Sequence, residues 1–476
     1  MKTISRRGLI KTVGAGLGIG LGLEGNPLRA EAHDPELAEA IAALPCVTGH
    51  EHWGSIDAIG YSESGYLTDL RTGIEPGNAS LLDILFDPYS GGPLSSKGSR
   101  PGTEARERGF DHPRDWLRKE PAAAWKAVRN TLSGLQSTGW LLCLDEGFRA
   151  LYDTPLSALL ADGPGTIDKV LAIDARVRSR YAHLVAWHEE AARKLGIEAV
   201  IRPVELEYGF RADNAEERKL VSPLLRIDHF CNFYRKPTGA MRFCVEKAGI
   251  DPRNADEFRE FLSRCFALAD QAGYKGTKQL QAYSRPLNFV RPRDSEVRFE
   301  ATNDRARDLV FGDFVVYECA ALAEKRGWPH QIHTGTDNLP HTNPLLLEPL
   351  IRAFGDVNFV LIHCWPYLEE AAYLARFHAN VYVDSCWTPI LSPGFFRQSM
   401  ETYIGYLPDS KVMIGHDSTS VEMAAGSLVL TRRILADVLA GRIAGGEMPR
   451  EAALPLARAY FADTARRLYG LEAGRR

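Results

Sequence analysis

Between residues 306 and 418 the chain repeats one pattern: a short apolar run, then a segment with helical spacing, then another short apolar run. The apolar runs are PHQIHTG (329–335), NFVLIHC (358–364), NVYVDSC (380–386) and KVMIGHDS (411–418). The stretches between them, PLLLEPLIRAFG, LEEAAYLARFHA and FFRQSMETYIGYL, carry apolar residues three and four apart, as one face of a helix does. Strands that alternate with helices form parallel sheets, because a parallel pair needs a long crossover. Working back towards the N-terminus, the same reading finds strands at 46–52 (CVTGHEH), 139–146 (GWLLCLDE), 198–205 (EAVIRPVE) and within 274–283. Helices are expected over 34–44, over 166–195 as one element, and through 209–272. Eight strands fit an α/β fold of the (β/α)8 TIM-barrel kind, with a long insertion between strands 1 and 2. An open doubly wound sheet is the alternative, but the polar residues gather at the C-terminal ends of the strands, where barrels build their sites.

The first 32 residues read as an address. Ser5, Arg6 and Arg7 precede a soft, Gly-rich apolar run, and Ala30-Glu31-Ala32 offers a small-x-small cleavage site. This pattern predicts a twin-arginine signal peptide and a periplasmic destination for the folded protein. Residues 33–476 then form the barrel, with 53–136 as a lid-like insertion, since connections this long usually carry function. Trp53, Arg100, His112 and Trp116 are its lid candidates. A net charge of -4 excludes a polyanion-binding surface as the main function, so the expected partner is a small molecule and not a nucleic acid. After removal of the leader no membrane span is expected, and a homo-oligomer is left open. The eight cysteines lack CxxC spacing, and no disulfide pairing can be named.

Candidate ligands sit at several strand ends. His50 and His52 are two apart, so a regular strand points both to one side. His333 shares a face with Gln331, and Asp417 with Gly415, while His330 and His416 face the other way. His363 ends the strand at 358–364, and Lys278 lies on the strand within 274–283. Any one of these could be a core histidine or a helix cap, but four His and one Asp on four strand ends suit a divalent metal of the zinc type. Glu205, Glu207, Asp384, Trp365 and Arg285 could line the adjoining pocket; of these Arg285, Glu205 and Trp365 are the candidate substrate-binding residues, an Arg being suited to a carboxylate.

The motifs GHEHWG, QIHTGTDN, LIHCWPY and MIGHDS together resemble the amidohydrolase superfamily, in the branch that is also similar to uronate isomerases, over about residues 46–420. The resemblance implies His50, His52, His333, His363 and Asp417 as ligands of one or two divalent ions, most simply zinc, with Asp417 also moving the proton. Lys278 stands where two-metal members carry a carbamylated bridging lysine, or else it is a cation for a substrate carboxylate. Such an ion lowers the pKa of water from ~15.7 towards ~7 and polarises a carbonyl. The expected activity is therefore hydrolysis of an amide, lactone or related C–N or C–O bond. An isomerase of the uronate type, a metal-dependent decarboxylase, or a non-catalytic binding protein on the same scaffold are the alternatives.

Overall fold

The computed structural model describes residues 34–53, 79–85 and 100–472, apart from 162, 236, 237 and 337. The leader and much of the 53–136 segment lie outside the described residues. Eight parallel strands follow one another in chain order around a nearly closed barrel. They are β1 (Cys46–Thr48), β2 (Ile197–Val204), β3 (Val221–Arg226), β4 (Thr277–Gln279), β5 (His330–Thr334), β6 (Phe359–His363), β7 (Val381–Asp384) and β8 (Val412–Met413). The seam between β8 and β1 is closed just beyond the strands. The His50 carbonyl accepts from the amides of His416 (3.2 Å) and Asp417 (2.9 Å), and Gly49 N donates to Ile414 O (3.3 Å).

Two apolar layers follow from strand alternation. Val47, Ile201, Leu224, Val360, Ile362 and Met413 fill the barrel interior with Ala462, Ala465, Leu468 and Tyr469 from the C-terminal helical segment. The opposite faces, with Cys46, Val200, Phe359, Leu361 and Ile414, pack against the surrounding helices. Burying such side chains contributes ~1.5–3 kcal/mol each relative to exposure. No described helix is long and apolar enough to cross a membrane.

Three elements differ from the sequence expectation, and the first two offset each other in the strand count. Residues 139–146 are not a strand; they open the helix Gly139–Tyr152, capped by Thr138, whose side chain accepts from Leu141 N. Over eight residues this run looks uniformly apolar, but over fourteen its buried positions (Trp140, Cys143, Leu144, Gly147, Phe148, Leu151) have helical spacing. The helix crosses Val421–Ala444 so closely that a Cβ on Gly426 would lie 1.6 Å from the Cys143 carbonyl oxygen. The missing strand is β3, inside the stretch expected to be helical, where the short VSPLLR is buried throughout. The helix expected over 166–195 is two, Thr166–Tyr181 and Leu184–Leu195.

The connection from β1 to β2 is thus a helical array reaching to residue 196. It is tied to the barrel by buried polar contacts. Tyr152 and Tyr181 hydroxyls donate to the Glu422 carboxylate at 2.7 and 2.6 Å. Arg202 on β2 donates to the Trp53 carbonyl (2.8 Å) and meets Glu217 through both oxygens (3.0 and 2.7 Å). Among the lid candidates, Trp53 and Trp116 are buried, Arg100 opens the helix Arg100–Glu107, and His112 caps Pro113–Lys119. All eight cysteines are free and buried.

Candidate metal centre

The site is built at the C-terminal mouth of the barrel. Immediately after β1, His50 and His52 place their Nε2 atoms 3.2 Å apart. Asp417, just after β8, brings Oδ1 to 3.3 Å from His50 Nε2 and 3.2 Å from His52 Nε2. Its other oxygen, Oδ2, lies 3.4 Å from His363 Nε2 at the end of β6. His333 on β5 completes the group, with Nδ1 3.0 Å from His363 Nε2. All five side chains are buried. The five candidate ligands from four strand ends therefore surround one volume.

Close backbone approaches make this convergence feasible. A Cβ on Gly415 would stand 2.6 Å from His50 N, and one on Gly49 would stand 2.0 Å from Asp384 Oδ2. Glu51, between the two histidines, accepts from Ser418 N (3.0 Å) and Oγ (2.8 Å), which fastens the end of β1 to the end of β8. Asp384 accepts from Cys386 N (2.9 Å) and Gly415 N (2.8 Å). It clamps the β7 and β8 ends together. His363 needs a further device. Alternation along β6 would turn it outward with Phe359 and Leu361, but His363 and Cys364 both adopt left-handed backbone (φ 70° and 65°) and swing the imidazole into the mouth. Such conformations cost about 1–3 kcal/mol each.

The imidazoles are oriented from behind. His50 Nδ1 lies 2.8 Å from Gln331 Oε1, whose amide nitrogen donates to the Gly49 carbonyl (2.7 Å) and the Tyr469 hydroxyl (2.6 Å). His363 Nδ1 lies 3.1 Å from the Cys386 carbonyl. In each case the outer nitrogen is engaged and Nε2 is presented to the centre, the arrangement usual for metal-binding histidines. Burial, chiefly, lowers the pKa of His50, His52 and His363 to about 4 and moves His333 the same way, so the rings are neutral donors at pH 7. Burial alone would raise Asp417, but the surrounding imidazoles hold it well below the usual carboxylate range. Donor atoms of His50, His52 and Asp417 lie within 4.8 Å of one another, as do those of His363, Cys386 and Asp417. Neutral imidazoles with an ionised carboxylate fit a divalent cation of the zinc type.

Lys278 is register partner to Arg226 on β3 and to Gln331 on β5, so three polar side chains stand side by side in the barrel wall. Its Nζ is fully buried without a hydrogen-bond partner among the described residues, and burial lowers its pKa to about 8. Arg226 is held by Glu205 (3.6 Å) and Asp228 (3.9 Å), and Glu205 also meets His229 Nδ1 at 2.8 Å. Glu205 is thereby committed to internal cations. Arg285 is committed too: Nη2 pairs with Asp313 (2.6 Å), and Nε and Nη1 donate to backbone carbonyls. Trp365 is half-buried and stacked on Phe395 at 3.9 Å, beside the β6 end. Outside the centre, His330 meets Thr277 and Gln279, and His416 meets Ser427. Sequence reasoning missed Arg226, Tyr283, whose ring lies 4.5 Å from His333, and Trp387, 5.6 Å from His363. Arg226 fell in the unrecognised strand. The two aromatic residues follow strand ends, and position was their only signal.

An amidohydrolase family model matches residues 247–471, which hold His333, His363, Lys278 and Asp417. That stretch, just under half of the chain, carries the amidohydrolase family pattern. Solved structures of similar shape include a glucuronate isomerase of Caulobacter crescentus (TM-score 0.67, 17% identity, 91% of this chain and 93% of that one). A uronate isomerase of Thermotoga maritima gives a TM-score of 0.66 at 15% identity, over 91% and 96% of the two chains. A Lactobacillus casei protein assigned to the metal-dependent hydrolases gives 0.58 at 17%, over 91% and 97%. At such identities the likeness is one of fold. The fluG protein of Emericella nidulans is 38% identical over 90 residues, which is 17% of this chain and only 10% of that protein.

Proposed function

We propose that this protein is an exported metal-dependent hydrolase that cleaves an amide, lactone or related C–N or C–O bond in a small molecule. The observation that carries the reading is the convergence of His50 Nε2, His52 Nε2 and Asp417 Oδ1 at 3.2–3.3 Å, with His363 on the second Asp417 oxygen. His50, His52 and Asp417 would hold one zinc-like cation, and His333 with His363 are placed to hold a second. When bound, such a cation supplies Lewis acidity, which acidifies water and polarises a carbonyl. The chain's own residues do the rest. Asp417 accepts the proton of the attacking water and passes it to the leaving group. Gln331 and the Cys386 carbonyl keep the imidazoles aimed. Tyr283 and Trp387, set against His333 and His363, wall the mouth and limit water. Lys278 would complete the centre, as a carbamate if two cations are held there or as an ammonium if only one is. A uronate-type isomerase is the second reading, and it rests on likeness of fold.

The test is metal analysis of the purified mature protein, paired with His50→Ala and a panel of N-acyl amino acids, lactones and uronates. Stoichiometric zinc, lost with activity in the variant, is expected. Hydrolysis of an amide or lactone separates the first reading from the second, and electron density at Lys278 Nζ decides between carbamate and amine. A protein that carries no divalent metal, or a His50→Ala variant of full activity, would sink the proposal.

A further inference from the structure

Beside the metal centre, on the same rim of the barrel, lies a second concavity that the reading above does not use. It opens to solvent, and its own cavity volume is about 30 Å³, room for one small polar group. Its walls come from the segment after β3 (Cys231, Asn232, Tyr234, Arg235), the loop after β4 (Gln281, Ser284, Arg285) and the approach to the helix Arg305–Glu324. The lining holds five arginines, Arg235, Arg285, Arg298, Arg305 and Arg307, against two carboxylates, Glu300 and Asp308.

The partners of those arginines decide what the cleft can take. Arg285 is neutralised by Asp313, and Arg235 lies 3.7 Å from Asp308. Arg307 reaches Asp304 at 3.4 Å. Arg298 and Arg305 meet no carboxylate among the described residues; Arg298 donates to the carbonyls of Ser295 and Val297, and Arg305 to that of Ser284. Backbone carbonyls leave a guanidinium's charge uncompensated. Concave surfaces of one sign concentrate counter-ions, and the guanidinium fork matches an oxyanion in two-point geometry.

The β4 loop links the cleft to the centre. Gln281 and Ser284 line the cleft, while Tyr283 between them lies against His333. Gln281 Nε2 also donates to Asp228 (3.0 Å), the partner of Arg226. One short turn thus has a side on each site. We propose that the arginine cleft is a subsite for an oxyanion of the substrate, a carboxylate or a phosphate carried at a distance from the scissile bond. This rests on the hydrolase reading for the word substrate, while anion binding by the cleft stands apart from it. The substrate class is then an extended, acidic small molecule whose reactive carbonyl reaches the metal while its anionic end is held by Arg298 and Arg305.

Calorimetric titration of the mature, metal-loaded protein with succinate and with inorganic phosphate, at low ionic strength, tests this. Wild type, Arg298→Ala, Arg305→Ala and His50→Ala are compared, with melting temperature and metal content measured on each. At least one anion is expected to bind, about tenfold or more weakly in either arginine variant, and unchanged in His50→Ala. The anion that binds distinguishes carboxylate from phosphate. If neither anion binds, or if binding survives both arginine substitutions, the cleft is not an anion site. Binding that is lost only in His50→Ala belongs to the metal and equally overturns the proposal. Retention of metal in His50→Ala would refute the metal-centre reading and leave the cleft result standing.

Discussion

Single residues at this centre act through close approach as much as through chemistry. Gly415 and Gly49 touch no substrate, yet each stands where a methyl group would strike the backbone or side chains that hold His50 and Asp384. Gly415→Ala is expected to destabilise the fold by about 1–3 kcal/mol, the range for overpacking, and to displace His50 enough to release metal on dialysis. A melting curve and metal content measure the two effects together, and a variant unchanged in both would contradict the geometry. The pairing of His333 with Gln331 was legible from alternation alone, because β5 stays extended through its ligand; Asp417, four residues past β8, reaches the centre through left-handed backbone of its own (φ 53°). His363 was legible as a strand end but not in its direction. The left-handed turn at His363 and Cys364 reverses what alternation dictates, and nothing local in the sequence forces it.

At the scale of elements, a buried ion pair ties β2 to the segment that leads into β3. Arg202 and Glu217 are both buried, and Tyr208 adds a hydroxyl to the same carboxylate at 3.0 Å. Burial alone would raise Glu217, but the Arg202 guanidinium outweighs it and leaves the pKa at about 2, below the ordinary 4.5. A carboxylate with a lowered folded-state pKa stabilises above its unfolded value and loses that contribution as pH falls towards the folded one. Glu217→Gln, which strands a buried guanidinium, is expected to cost about 3–5 kcal/mol at pH 7, with the difference from wild type shrinking between pH 4.5 and 2. Urea unfolding at pH 7 and pH 3 measures it; an equal difference at both would show that the charge is not responsible. The helix at Gly139–Tyr152 belongs to this scale too. Its first eight residues satisfy strand and helix patterns alike, and its packing on Val421–Ala444 through Gly426 selects the helix.

For the whole molecule, the leader and the thiols bear on one question. Eight buried free cysteines suit a chain that completes its core before meeting an oxidising compartment, and a twin-arginine leader would deliver such a chain already folded. The proposed export is tested by Arg6→Lys combined with Arg7→Lys. The variant protein is expected in the cytoplasm, folded and metal-loaded, while wild type is recovered from the periplasm. Unimpaired export would rule out that route.

Periodicity is a local property, so the sequence by itself determined the β/α alternation, the barrel class and the five residues that meet at its mouth. It put Lys278 on a strand, while its place in the barrel wall beside Arg226 and Gln331 came from the register of β3, β4 and β5. What depends on contacts far apart in the chain only the tertiary structure decided. It made 139–152 a helix and 221–226 a strand, engaged Glu205 and Arg285 in buried pairs, and left Lys278 Nζ without a hydrogen-bond partner among the described residues. It also gathered arginines from the segments after β3 and β4 and from the start of the helix Arg305–Glu324 into one cleft. Segments with no periodicity of their own are positioned by what they pack against, and that information is not local.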